Sequence, residues 1–365
     1  MQRRLLILLL ILGVGAGVAL AVWALTERYE RKQALANAFD RLRLFHDLRR
    51  AALEDYLRST ASDVRAASES PRVVEAMERL DVAWGRYGAD ARQVLPRRYA
   101  KGNPAPAGRE AEPADTGDDS AYGPYHRTFD DWAQRFLEHF GYYDAFLINP
   151  RGDVVYSVAK ESDFATSLET GPYRDSPLAE VYRRVMANPA AGVDFSDFAR
   201  YAPSGDDPAA FAGHAILESG DVIGVFAVQI PAEPLNELMH FTAGMGGSGE
   251  TYLVGEDRLM RSQSRFIAAP TLLETKVDNA SVREGIGGKS GARVVRDYRG
   301  IPVLSVYAPV DFGGQKWVLL SEIDQAEVWE TRGRWLAIAM GGIAGLIVIG
   351  LALAWRLRRP TRDAA

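Results

Sequence analysis

The sequence predicts an α+β chain: a long N-terminal helix, then two tandem modules, each an antiparallel sheet with helices on one side, the whole flanked by two transmembrane helices. Three observations predict it. A charge-free apolar run stands near each end. A glycine-free stretch of helical period follows the first run. After it, one order of elements occurs twice: hairpin, helix, three strands, exit helix. A length of 365 residues fits two domains plus attachments at roughly 150 residues per domain.

Composition excludes several classes. A net charge of −5 leaves no basic footprint for nucleic acid. The absence of cysteine rules out a disulfide scaffold, an iron–sulfur cluster, a thiolate zinc site and a cysteine nucleophile.

The apolar runs are residues 5–25 (LLILLLILGVGAGVALAVWAL) and 335–355 (WLAIAMGGIAGLIVIGLALAW). About 20 such residues cross a hydrocarbon core of about 30 Å. Trp23, Trp335 and Trp355 stand near the ends, where indoles prefer the interface. Arg3 and Arg4 precede the first run; Arg356, Arg358, Arg359 and Arg362 follow the second. The positive-inside rule then puts both termini in the cytoplasm of a bacterial inner membrane, with residues 26–334 in the periplasm or outside. Ala19-Leu20-Ala21 offers a signal-peptide cleavage pattern, but apolar residues continue past it, which favours a retained anchor. Gly13/Gly17 and Gly341/Gly345 give each run a small-xxx-small face. With the long helix, that points to a homodimer.

Residues 27–93 carry Leu35, Ala38, Leu42, Phe45, Ala52 and Tyr56 at three- and four-residue steps, a helix that Pro71 should interrupt. Residues 94–123 collect Pro96, Pro104, Pro106 and Pro113 with Gly102, Gly108 and Gly117, a long loop. Helix resumes over 128–140 with an acidic first turn. Residues 142–148 and 153–159 flank Asn149-Pro150-Arg151-Gly152 as a hairpin. A helix over 176–187, strands over 193–201, 214–218 and 222–230, and a helix over 235–242 complete the first unit. The second repeats the order: a hairpin (250–254, 258–263), a helix (281–286), strands (292–298, 301–309, 316–323) and a helix from Gln325. The expected divisions are 1–26 (stub and first span), 27–121 (helix and loop), 122–245 and 246–324 (the two modules), and 325–365 (exit helix, second span, basic tail).

Local wording adds a resemblance. GYYDAFLINPRGDVVYSVAKESDFATSL (141–168), GPYRDSPLA (171–179), VDFSDFARYAPS (193–204), GVFAVQIP (224–231) and GGSGETYLVGEDRLMRSQSRF (246–266) stand within this order of span, helix, two PAS-like modules and span. The whole resembles the double Cache (dCache) sensor ectodomain of bacterial chemoreceptors, sensor histidine kinases and membrane-bound cyclases, over nearly all of the outer segment. The resemblance implies that a small molecule binds the membrane-distal module, 122–245. The signal would pass through the proximal module, 246–324, and the exit helix to the second span. The amino-acid-binding version carries a tyrosine/arginine/tryptophan/tyrosine cluster and a late-strand aspartate that holds the ligand amine. Here the late strand ends GVFAVQIP, with Gln229 near that aspartate's place, and the RxWY pattern is absent. A neutral amide does not neutralise an ammonium, so a neutral or anionic ligand is expected.

Aromatic walls with polar tips are the usual content of such a pocket. The candidates are Tyr156, Lys160, Tyr173, Ser176, Asp197, Tyr201, Ser204, Phe211 and Gln229. Each has a plainer alternative: Tyr156 and Phe211 as core, Asp197 as a turn cap, and Lys160, Glu161 and Asp163 as a solvated strand end. Enzyme motifs fail. Ser157 to Lys160 spells S-x-x-K without its companion motifs. Gly246-Gly247-Ser248-Gly249 lacks the spacing of a nucleophile elbow. His46, His126, His139, His214 and His240 form no HExxH pair. Asp194 and Asp197 are too few oxygens for calcium. No catalysis, cofactor or metal is expected. Only RLRRPTRDAA follows Trp355, so the output is expected in a domain beyond this sequence or on a separate cytoplasmic or membrane signalling partner. The alternative is a non-catalytic membrane adaptor whose modules bind a protein; an ectoenzyme is a third reading.

Overall fold

The computed structural model describes residues 2–99, 122–241 and 243–329. Helix α1 (Gln2–Ser68) is continuous, about 100 Å long at 1.5 Å per residue. Most side chains of the first apolar run (1–16 and 18–20), and all of the second run, lie outside the described residues. Among the described residues no helix is long and apolar enough to cross a membrane.

The helical run breaks at residues 69–70, as Pro71 leads one to expect, and Pro71 starts the next helix. Ser70 caps α2 (Pro71–Tyr87) by accepting from the Val73 amide, and Pro71 fills the first turn, where a missing N–H costs nothing. A 3₁₀ turn (Gly88–Asp90) leads into α3 (Ala91–Tyr99), so the expected loop begins later than residue 94. Likewise α4 (Tyr122–Phe140) starts before 128, with Pro124 tolerated in its first turn. The rest of the expected loop, 100–121, lies outside the described residues.

The first sheet follows. β1 (Asp144–Ile148) and β2 (Val154–Ser157) form the expected hairpin. Asn149 Oδ1 accepts from the Arg151 and Asp153 amides in its turn, and Gly152 supplies the left-handed backbone (φ +79°). Ser176 then caps α5 (Pro177–Ala187). The expected strand 193–201 is split into β3 (Asp194–Phe195) and β4 (Ala199–Tyr201). β5 (Asp207–Glu218) is far longer than the expected 214–218 and pairs with β6 (Asp221–Ile230). The order is β2-β1-β6-β5-β3, with β4 also on β5, all antiparallel. α6 (Glu233–His240) closes the unit.

Alternation along the strands shows both faces of this sheet covered, not one. Leu147, Phe226 and Val228 join the core under α1, α2 and α4. Phe146, Val225, Ala227 and Phe211 join a second core under α5. Gly213 lets α5 approach: a Cβ there would stand 2.7 Å from Val181 Cγ1.

The second sheet contains β7 (Glu250–Gly255), then α7 (Ala280–Ile286), β8 (Gly291–Arg296), β9 (Pro302–Phe312) and β10 (Gln315–Asp324). Its order, β7-β10-β9-β8, repeats that of the first sheet without a second strand. The strand expected over 258–263 is reduced to single bridges, Val254 to Met260 and Leu259 to Lys276. This sheet too has helices on both faces, α7 on one and α1 on the other. Residues 325–329 continue from β10 as helix.

The two sheets meet at an aromatic joint. Phe195 and Phe198 pack on Phe312 and Trp317, which are stacked at 3.9 Å and 13°.

Candidate functional site

Four of the expected residues converge on the α5 face of the first sheet. Phe211 and Gln229 are direct cross-strand partners, and Asp144 is the next partner in the row. Tyr201, at the end of β4, sets its ring edge-on to Phe211 at 4.8 Å. Ser204 follows in a 3₁₀ turn closed by Gly205 in the left-handed region (φ +71°). Gln229 Nε2 donates to Ser204 Oγ (3.1 Å), and Ser204 Oγ donates to Glu161 Oε2 (2.7 Å). The Tyr201 hydroxyl donates to Asp163. Tyr173, half-buried, reaches the same segment through Ser162, 2.6 Å away.

Three acids that sequence reasoning did not select therefore belong to this cluster: Asp144, Glu161 and Asp163. Lys160 and Asp163 are buried rather than a solvated strand end. Asp144 is spent locally. Its Oδ1 accepts from the amides of Ala145, Val158 and Ala159 (2.7, 2.8 and 2.9 Å), and its Oδ2 from the Ser157 hydroxyl (2.8 Å). Asp163 Oδ1, by contrast, has no hydrogen-bond partner among the described residues. Burial pushes Asp163 up to about 6, and Glu161 adds to the rise. Burial and the nearby Asp163 push Asp144 up to about 7. A carboxylate, Asp144, does stand across the strand pair from Gln229, with both oxygens already engaged.

The other candidates have structural work. Tyr156 and Lys160 both donate to Asp130 Oδ1 (2.8 and 2.7 Å) in a buried cluster with His126 beneath α4. Burial and then the Lys160 ammonium hold the His126 ring down to about 3. Burial alone would raise Asp130, but Lys160, His126 and the Tyr156 hydrogen bond together outweigh it, and the net displacement is downward. Ser176 is the α5 cap. Asp197 serves the joint between the sheets. Its Oδ1 accepts from Trp317 Nε1 (3.0 Å) and Arg261 Nε (2.9 Å), and its Oδ2 from Arg261 Nη2 (2.9 Å). Among the described residues no group of three His, Asp or Glu side chains is placed to hold a metal.

A scan against family models finds no match, and a search of the curated proteins finds none. Solved structures do match. The ligand-binding domain of the Pseudomonas aeruginosa PAO1 amino acid chemoreceptor PctB, in complex with L-Gln, is 11% identical with a TM-score of 0.47, over 83% of this chain and 98% of that one. That of the Campylobacter jejuni chemoreceptor Tlp3, with 4-methylisoleucine, is 14% identical with a TM-score of 0.48, over 82% and 94%. The extracellular domain of the putative histidine kinase vpHK1S-Z8 is 9% identical with a TM-score of 0.46, over 83% and 95%. Two of these are ligand-binding domains of chemoreceptors and the third is the extracellular domain of a histidine kinase.

Proposed function

We propose that this chain is a non-catalytic, extracytoplasmic small-molecule sensor. One observation carries the reading: Tyr201, Ser204, Phe211 and Gln229 converge beside a buried, unpartnered Asp163 oxygen, on a sheet tied to the second sheet through Asp197. The acids favour a ligand rich in hydrogen-bond donors or carrying a cation. The sensing unit is residues 122–245, the relay 246–324 and the output segment 325–365. The apolar runs at 5–25 and 335–355 anchor a two-pass inner-membrane protein, paired as a homodimer through 27–121 and its glycine faces. A signalling partner, or a domain beyond this sequence, reads the displacement of the second span.

The test is a thermal-shift screen of the full chain in detergent against amines, polyamines, sugars, purines and organic acids. A ligand at ~100 times its Kd adds about 2.7 kcal/mol, a rise of several degrees. The reading expects a hit that Tyr201→Phe or Gln229→Ala abolishes. A hit indifferent to both variants removes this site, and no hit across the library favours the adaptor reading.

A further inference from the structure

The second sheet repeats the row just described, with different chemistry. Asp144 faces Gln229 across the first β1–β6 pair, and Glu250 faces Glu322 across the corresponding β7–β10 pair. Ser305 on β9 is the next partner in that row. Both glutamates are 2% exposed. Like charges directly opposed on neighbouring strands repel, and burial removes the water that would screen them.

Their surroundings are unequal. Glu250 is fully supplied with donors: its Oε1 accepts from the Ser264 hydroxyl and the Arg265 amide (both 2.9 Å), and its Oε2 from the Tyr298 hydroxyl (2.6 Å). Glu322 has the Tyr252 hydroxyl on Oε2 (2.9 Å), while its Oε1 and Ser305 Oγ both lack a partner of normal geometry among the described residues. Nearby cations are engaged elsewhere. Arg265 donates to the Gly249 and Gly247 carbonyls, Arg299 to Asp297 and Asp324, and Arg293 pairs with Glu284. Asp297 adds further negative charge.

We propose that the Glu250–Glu322 pair is a proton-binding site: Glu322 holds a proton directed at Ser305 while Glu250 keeps its three donors, and release of that proton to solvent loosens the end of β10 and the segment beyond it. Burial pushes the Glu322 carboxyl up to about 8, and Asp297 and Glu250 add to the rise, against the Tyr252 hydrogen bond. The first sheet supports the assignment independently. There the position opposite the acid is Gln229, an uncharged isostere of a protonated glutamate. What the amide does permanently in one sheet, a proton does reversibly in the other.

The effect lands on the output end. Ile323, next to Glu322, packs with Ala38 and Leu42 of α1. The Asp324 amide donates to Ser248 Oγ (3.0 Å), and Glu327 accepts from the Gly247 and Ser248 amides (2.9 and 2.7 Å). Repulsion between Glu322 and Glu250 parts the strands that carry these contacts. This goes beyond the sensor reading and requires no ligand on the first sheet.

The experiment is hydrogen exchange over residues 317–327 of the full chain in detergent between pH 6 and 9, corrected for intrinsic rates. Local opening should rise on the order of tens-fold from pH 6 to 8 and then level off, because the open form releases the proton at ordinary carboxyl pH. Glu322→Gln should abolish the rise. The same pH profile in wild type and Glu322→Gln overturns the proposal. If that variant fails to fold, Glu250→Gln decides: removing the opposing charge should bring the levelling-off to lower pH, and an unmoved profile overturns the pair.

Discussion

Asp197 and Trp317 belong to different sheets and share a hydrogen bond of 3.0 Å from the indole Nε1 to the carboxylate Oδ1. Asp197 lies between β3 and β4, on the segment that ends at Tyr201. Trp317 lies on β10, which runs to the exit segment. On the proposed sensor reading, a shift of Tyr201 around a ligand would reach β10 through this carboxylate and the aromatic joint beside it. Asp197→Ala should cost about 2–4 kcal/mol in urea unfolding, because buried Arg261 loses one of its two carboxylate partners, keeping Asp257 and the Leu259 carbonyl, and Trp317 Nε1 loses its acceptor. Asp197→Asn should cost less, since an amide oxygen can still accept from the indole.

Lys160 and Tyr201 should behave oppositely. Lys160→Met strips the buried Asp130 of its cation and should cost about 3 kcal/mol, yet leave ligand-induced melting shifts intact. Tyr201→Phe should cost only about 1 kcal/mol and remove those shifts. A Lys160→Met protein that is stable but blind to ligand would move the site to the α4 side of the sheet.

Asp144, raised to about 7, and Asp163, raised to about 6, hold protons that the unfolded chain releases near pH 4. Their contribution is complete below about pH 4 and is lost as pH climbs through 6 to 7. Urea midpoints should fall across that window, and Asp144→Asn should flatten the upper part of the fall. A cationic ligand would favour the ionised acids, so calorimetry in two buffers should show proton release on binding.

Gly246 has a left-handed backbone (φ +83°), and a Cβ there would collide with the Glu327 carboxylate. Gly246→Ala should cost about 1–2 kcal/mol in backbone strain and break the hold of Glu327 on Gly247 and Ser248. Limited proteolysis should then cut near residues 325–329 faster than in wild type, while the first sheet keeps its ligand response.

The sequence displayed what is local. The β1–β2 hairpin was legible from Asn149 to Gly152, and the repeated order of elements from its alternation. Three features were set by contacts distant in sequence. The first half of β5 (DPAAFAG) reads as a loop, yet its small residues are what a strand needs beneath α5, as Gly213 against Val181 shows. Residues 258–263 alternate like a strand but make only bridges. The helices on the second face of each sheet come from α1, α2 and α4, earlier in the chain. At the candidate site, Tyr201, Ser204, Phe211 and Gln229 were named by residue type, and the structure brings these four together. The acids were not, although Asp144 breaks an otherwise apolar run in YYDAFLI. An acid at a strand entrance reads as solvated until cross-strand register places it opposite Gln229.

Helix α1 touches the second sheet through Ala38 and Leu42 and the first through Ser68, whose hydroxyl lies 2.7 Å from His214 Nδ1. The two contacts are roughly 40 Å apart on one uninterrupted helix. Adding or deleting a single residue between them would rotate one contact face by about 100° against the other. Lineages carrying this architecture are therefore free to exchange residues along the rod but not to change its length one residue at a time. Insertions should be confined to the loops and to the stretch of α1 before Ala38.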